Sequence, residues 1–278
     1  MSKVWFITGA GSGIGTGIAK AALRSGDRVV STGRNLEKVR NAFPDIAREN
    51  IAFVQLDVVN ESQAKAAVDE AIARFGRIDV LVNNAGYSLL GNFEQMTTAE
   101  IQHQFATNFY GVVHLMHAML PVMRRQRSGH IINISSVAGV VGLKHCAAYA
   151  ATKFAVEGLS LSVATEVEKF GIKITVVEPG FFRTDLLDAQ NVRWVNKVVE
   201  DYSPEGTAHD MWSRYHGTQP GDPAKLGDAL VKITAMPNPP KTFVAGGDAL
   251  DVIRPAIEER LREASANEML SKSTVGSF

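Results

Sequence analysis

The chain has 278 residues, 45% of them hydrophobic and 21% charged, with 29 basic and 29 acidic side chains in balance. Zero formal charge gives no electrostatic footprint for nucleic acid or anionic lipid, and no apolar run reaches the ~18 residues of a membrane span. A single cysteine, Cys146, excludes an intrachain disulfide and a cysteine-cluster metal site, which points to a reducing, cytoplasmic setting.

The first residues pass directly into strand and glycine turn, so no secretory signal is expected. Residues 4–8 are an apolar run suited to a strand buried on both faces. It ends in Gly9-Ala10-Gly11-Ser12-Gly13-Ile14-Gly15, and helical periodicity then starts through Ile18, Ala19, Ala22 and Leu23. Spaced glycines between a strand and a helix N-terminus let an anion approach free backbone N–H groups, so Gly9, Ser12, Gly13, Ile14 and Gly15 form a candidate nucleotide-phosphate site. The alternative is a glycine turn needed only for tight packing.

Residues 27–33 form the second strand, whose end should meet an adenosine ribose. A carboxylate there would bind both ribose hydroxyls and repel a 2′-phosphate. Here Gly33 is followed by Arg34, which favours NADP(H), with NAD(H) possible. Arg34 could instead be a solvated loop residue. Thr32 could add a hydroxyl to that phosphate. A third strand, 51–56, ends at Asp57-Val58, where the carboxylate could accept from an adenine amino group or cap the following turn.

A fourth strand ends in Asn83-Asn84-Ala85-Gly86; small and amide residues there leave room for a ribose, or serve only to satisfy sheet edges. Residues 87–98 read as a loop exposing Leu89, Leu90 and Phe93, one wall of a substrate pocket. A long helix over 99–123 is interrupted near Asn108, whose amide either holds a kink or holds a water behind Lys153. The strand 129–134 ends at Ser135-Ser136, where either serine can cap the next loop and Ser136 can reach a carbonyl oxygen.

Tyr149 and Lys153 are four residues apart at the start of the next helix and so share a face. A nearby ammonium favours the phenolate and would let the phenol exchange a proton with an alcohol oxygen; a surface Tyr-Lys pair is the bland alternative. That helix runs to about 170 and is apolar nearly all round, which suggests packing on another subunit. After strand 172–177, Pro179 and Gly180 turn the chain at the pocket rim, and the Thr184 hydroxyl can bind a carboxamide. Residues 185–218 are irregular and aromatic-rich, as in a lid. A helix from Asp222-Pro223, a last strand at 242–245 and a charged helix and tail over 248–278 complete the chain.

Strand-helix alternation with about seven strands implies one α/β domain over residues 1–278, a Rossmann-like doubly wound parallel sheet with helices on both faces. With T-G-A-G-S-G-I-G at 8–15, N-N-A-G at 83–86, Ser136, Y-A-A-T-K at 149–153 and P-G-F-F-R-T at 179–184, the chain resembles the short-chain dehydrogenase/reductase family over roughly residues 3–247. The resemblance implies an oxidoreductase interconverting a ketone or aldehyde and an alcohol. Tyr149 would be the general acid/base, and Lys153 would lower its pKa and bind the nicotinamide ribose. Ser136 would polarise the carbonyl and Asn108 would hold a relay water. Gly33-Arg34 matches NADP(H)-preferring members, and a homodimer or homotetramer is expected. The residues after Ala245 exceed the compact end of many tetrameric members. A non-catalytic dinucleotide sensor, an NAD-preferring alcohol dehydrogenase and a sugar-nucleotide epimerase are the competing classes. Apolar side chains at Leu89, Leu90, Phe181 and Phe182 point to an apolar or aromatic carbonyl substrate.

Overall fold

The computed structural model describes residues 2–184 and 192–276. Strands and helices alternate: β1 Val4–Ile7, α1 Gly13–Arg24, β2 Arg28–Gly33, α2 Leu36–Asn41, β3 Ile51–Gln55, α3 Glu61–Phe75 and β4 Val80–Asn83. There follow β5 Ser88–Leu90, α4 Thr98–Phe105, α5 Gly111–Gln126, β6 Gly129–Ile134, α6 Ala147–Val167 and β7 Ile172–Pro179. The last part adds β8 Val192–Trp194, α7 Ala208–Trp212, α8 Pro223–Ala235, β9 Thr242–Ala245 and α9 Gly247–Ala266.

Seven strands form one sheet in the order β3-β2-β1-β4-β6-β7-β9, and every pairing is parallel. A parallel sheet covered by helices needs strands that are apolar on both faces. All four residues of β1, Val4 to Ile7, are fully buried for that reason. Two cores result. One lies between the sheet and α3, α5 and α6, around Phe6, Leu81 and Met119; the other lies under α1 and α8, around Trp5, Ile18 and Leu230. The chain reverses direction across the sheet between β1 and β4, so their carboxyl ends part and open a crevice.

Helices α1 and α8 touch backbone to backbone because glycine stands at both contacts. A Cβ on Gly17 would lie 2.4 Å from the Pro223 carbonyl oxygen, and one on Gly227 2.6 Å from that of Gly17. The interruption of the long helix is a π-helical turn, Ala106–Tyr110, between α4 and α5. It lets the buried Asn108 point inward, where Nδ2 donates to the Tyr87 carbonyl (3.0 Å) and Oδ1 accepts from the Tyr87 N–H (3.1 Å).

Two expectations change. The stretch 87–98 is not simply an exposed loop: β5 pairs in parallel with β8, and Leu89 and Leu90 are buried at 2% and 3% exposure, leaving Phe93 exposed. A three-residue strand is too short to show alternation in sequence. The irregular region 185–218 contains β8 and α7, while residues 185–191 of it lie outside the described residues. Along α6, Phe154 and Leu161 remain exposed. No described helix is long and apolar enough to cross a membrane.

Candidate active site

A cleft of about 600 Å³ runs along the carboxyl edge of the sheet from Arg34 to Trp212, within the range of cofactor and ligand sites. At its near end the turn after β1 brings in Gly9, Ser12, Gly13 and Ile14. Gly9 and Gly13 adopt φ of +65° and +56°, a left-handed backbone open to glycine at little cost. Ser12, in extended conformation, makes no side-chain cap, and the first turn of α1 carries no acidic residue, so its N–H groups are left for an anion. Gly15 stands behind the turn and outside the lining: a Cβ there would fall 2.5 Å from the Gly9 carbonyl oxygen.

Where the cleft meets the ends of β2 and β3 the lining comprises Gly33 and Arg34, then Asn35 and Lys38 of the α2 start, and Asp57 and Val58 after β3. No carboxylate stands at the end of β2. Asp57 lines the cleft but also caps its turn, accepting from the Val59 N–H at 3.2 Å. Thr32 is no phosphate ligand: it is fully buried and its hydroxyl donates to the Ile7 carbonyl at 3.1 Å.

After β4, Ala85 and Gly86 line the cleft and Asn83 does not. The Asn83 amide donates sideways to Asn133 of β6 (2.8 Å), which donates in turn to Ser160 of α6 (2.8 Å). Its neighbour Asn84 ties the nucleotide turn, donating to the Thr8 and Gly9 carbonyls at 2.9 and 3.3 Å. Asn108 likewise lies behind the lining.

Ser136, Tyr149 and Lys153 converge midway along the cleft with Pro179, Gly180 and Thr184. Ser136 caps the 3-10 turn Val137–Gly139, accepting from the Ala138 N–H at 3.1 Å. Lys153 Nζ donates to the Ile134 carbonyl at 2.8 Å and lies 5.6 Å from the centre of the Tyr149 ring. Burial pushes the Tyr149 phenol up to about 12, against the weaker pull of the Ser136 hydroxyl. Burial also pushes Lys153 down to about 8. In this structure desolvation dominates at Tyr149, and the phenol is protonated at neutral pH.

Thr184 packs on the nucleotide turn, 3.1 Å from where a Gly13 Cβ would lie. Gly180 and Phe181 are pinned by Asp248, which opens α9 and accepts from the Phe181 N–H at 2.6 Å. At the far end Phe181 stacks on Tyr215 (4.9 Å between ring centres, 9° between planes) beside Trp212, with Leu90 and Leu143 on the other walls.

The sequence profile of the family described as "short chain dehydrogenase" matches residues 3–193. The chain belongs to the short-chain dehydrogenase family. A 3-ketodihydrosphingosine reductase of Bacteroides thetaiotaomicron is 39% identical over 242 residues, covering 86% of each chain. A short-chain dehydrogenase structure from Streptomyces avermitilis superposes with a TM-score of 0.89 at 36% identity, over 99% of this chain and 100% of that one. ElxO, solved with NADP bound, gives 0.75 at 31% identity, over 90% and 100%.

Within this short-chain dehydrogenase, an NAD(P)-dependent oxidoreductase acting on CH–OH and C=O groups, two lining residues escape motif reading. Lys38 looks like one more charge on a helix surface, and Asp248 like an ordinary helix start. Trp212 belongs to the aromatic-rich stretch 185–218 expected as a lid, and it does line the cleft. Only the Asn35-x-x-Lys38 spacing, a capped helix start after the strand, could have flagged the first.

Proposed function

We propose that the protein is an NADP(H)-dependent carbonyl reductase and alcohol dehydrogenase for apolar or aromatic substrates. The observation that carries this reading is the convergence of Ser136, Tyr149 and Lys153 in one cleft with the nucleotide turn. The residues fit the dinucleotide: a cradle that a Cβ would fill, a helix start with free N–H groups, and Arg34 and Lys38 where a ribose carboxylate partner would otherwise stand.

NADP(H), when bound, supplies or accepts the hydride. Ser136 and Tyr149 hold the substrate oxygen, and Tyr149, neutral across the ordinary pH range, donates the proton in reduction and takes it back in oxidation. Lys153, anchored on the Ile134 carbonyl, places a positive charge beside the phenol and binds the nicotinamide ribose. Pro179, Gly180 and Thr184 form the carboxamide end. Asn108, bonded to Tyr87, shapes the π turn, and a relay water would sit between it and Lys153. Leu90, Phe181, Trp212 and Tyr215 exclude water from the reacting centre. The relative named 3-ketodihydrosphingosine reductase and the neighbour solved with NADP bound support both halves of this reading. The exposed Phe154 and Leu161 of α6 supply a face for a homodimer or homotetramer, and a cytoplasmic location suits the lone, buried Cys146.

An initial-rate scan of apolar and aromatic ketones and aldehydes tests the proposal. NADPH should be consumed only when a carbonyl is present, and at least roughly tenfold faster than NADH at limiting cofactor, the size of one charge-assisted contact. NADPH binding without consumption across the scan would contradict it.

A further inference from the structure

Glu157 lies one turn beyond Lys153 on the inward face of α6, in a region where no motif marks a carboxylate. It is buried, and its Oε1 is sealed from solvent. Ser135 Oγ is equally sealed, and its hydroxyl is the neighbour that favours the Glu157 carboxylate. The 3-10 turn Val137–Gly139 closes over both: a Cβ on Gly139 would fall 2.4 Å from Ser135 Oγ and 3.3 Å from Glu157 Oε1. Facing the group from β7 is Glu178, itself buried, and from its own helix Lys153; the covering turn holds no titratable side chain. Asp248 of α9, the other carboxylate near this edge, is engaged with the Phe181 N–H.

A buried carboxylate is costly, and a second carboxyl beside it raises the cost; the Ser135 hydroxyl offsets part of this, and the one positive charge that does so is the ammonium of Lys153. That ammonium is in the same position: burial opposes its charge, and Glu157 is the group that supports it. The coupling acts through space rather than through a hydrogen bond. We propose that Glu157 is a positioning residue for the reaction, an internal counter-charge that keeps Lys153 protonated on the Ile134 carbonyl. The role in turnover rests on the carbonyl-reductase reading; the electrostatic coupling does not.

Burial, with a smaller push from Glu178, raises Glu157 to about 7 against the pull of the Ser135 hydroxyl and Lys153, so it becomes anionic as pH rises through that value, just below where Lys153, at about 8, loses its proton. With Glu157 neutral or absent, Lys153 deprotonates at lower pH.

The test follows the Lys153 signal in the full chain carrying carbon-13 at lysine Cε, assigned with Lys153→Met. In the wild type the signal should show its own titration and a second inflection near pH 7 from Glu157. In Glu157→Gln the second inflection should vanish and the Lys153 titration move down by about one pH unit or more. The alkaline limb of the pH–kcat profile should move with it, with KM for NADPH little changed, and Glu157→Asp should restore most of the shift. An unchanged Lys153 titration in Glu157→Gln overturns the proposal; should that variant not fold, a wild-type signal without the second inflection does so. Because the titration needs no turnover, an enzyme inactive on every carbonyl would sink the reductase reading and leave this result standing.

Discussion

Tyr149→Phe is expected to lower kcat/KM for carbonyl reduction by roughly 10²–10⁴-fold, the usual worth of a positioned proton donor, while NADPH binding changes less than about threefold. The substitution removes one oxygen and keeps the ring, so packing in this buried position is preserved. What disappears is the hydroxyl that Ser136 faces in the cleft. Since burial holds the phenol near 12, the wild-type group is neutral at pH 7 and fully available as an acid. Tyr149 ionisation should therefore cause no alkaline loss of reduction below about pH 12, so the alkaline limb should report Lys153, held near 8. Single-turnover rates with prebound NADPH, beside equilibrium binding by cofactor fluorescence, separate the two effects. A variant that keeps most of its rate would remove Tyr149 from the mechanism.

The second large effect is on cofactor choice. Arg34→Ala should weaken NADPH by roughly 10- to 100-fold, the range for a lost hydrogen bond between charged groups, and Lys38→Ala by somewhat less. NADH should be nearly unaffected by either, because without the 2′-phosphate neither cation has an anion to meet. Both side chains border the adenosine end of the cleft, next to Gly33, whose missing side chain leaves the approach open. The discriminating quantity is the ratio of the two dissociation constants, measured on each variant. Equal losses for NADPH and NADH would mean that these residues shape the α2 start rather than read the phosphate.

The nucleotide turn, the Tyr149–Lys153 pair and the parallel sheet were legible in sequence because each is imposed locally. Glycines at positive φ, a four-residue helical spacing and two-sided apolar strands leave little alternative. What escaped depends on which way a side chain turns. Asn83 and Asn84 are indistinguishable in sequence, yet strand alternation sends one amide into the sheet toward Asn133 and the other to the Thr8–Gly9 backbone. Thr32 points into the sheet for the same reason. Leu89 and Leu90 looked exposed because their partner strand, β8, lies over a hundred residues away. Glu157 read as one polar residue on a helix; only the tertiary fold reveals that Ser135, Glu178 and the Val137–Gly139 turn enclose it.

In the proposed reaction a hydride passes between the nicotinamide and a carbon whose oxygen Tyr149 holds. This transfer is tested most directly by reducing a carbonyl compound with NADPH deuterated at C4 and locating the label. One deuterium is expected on the carbinol carbon of the product alcohol, from one face of the cofactor only, with no exchange into water. Product alcohol free of deuterium when both C4 positions carry it would contradict the transfer.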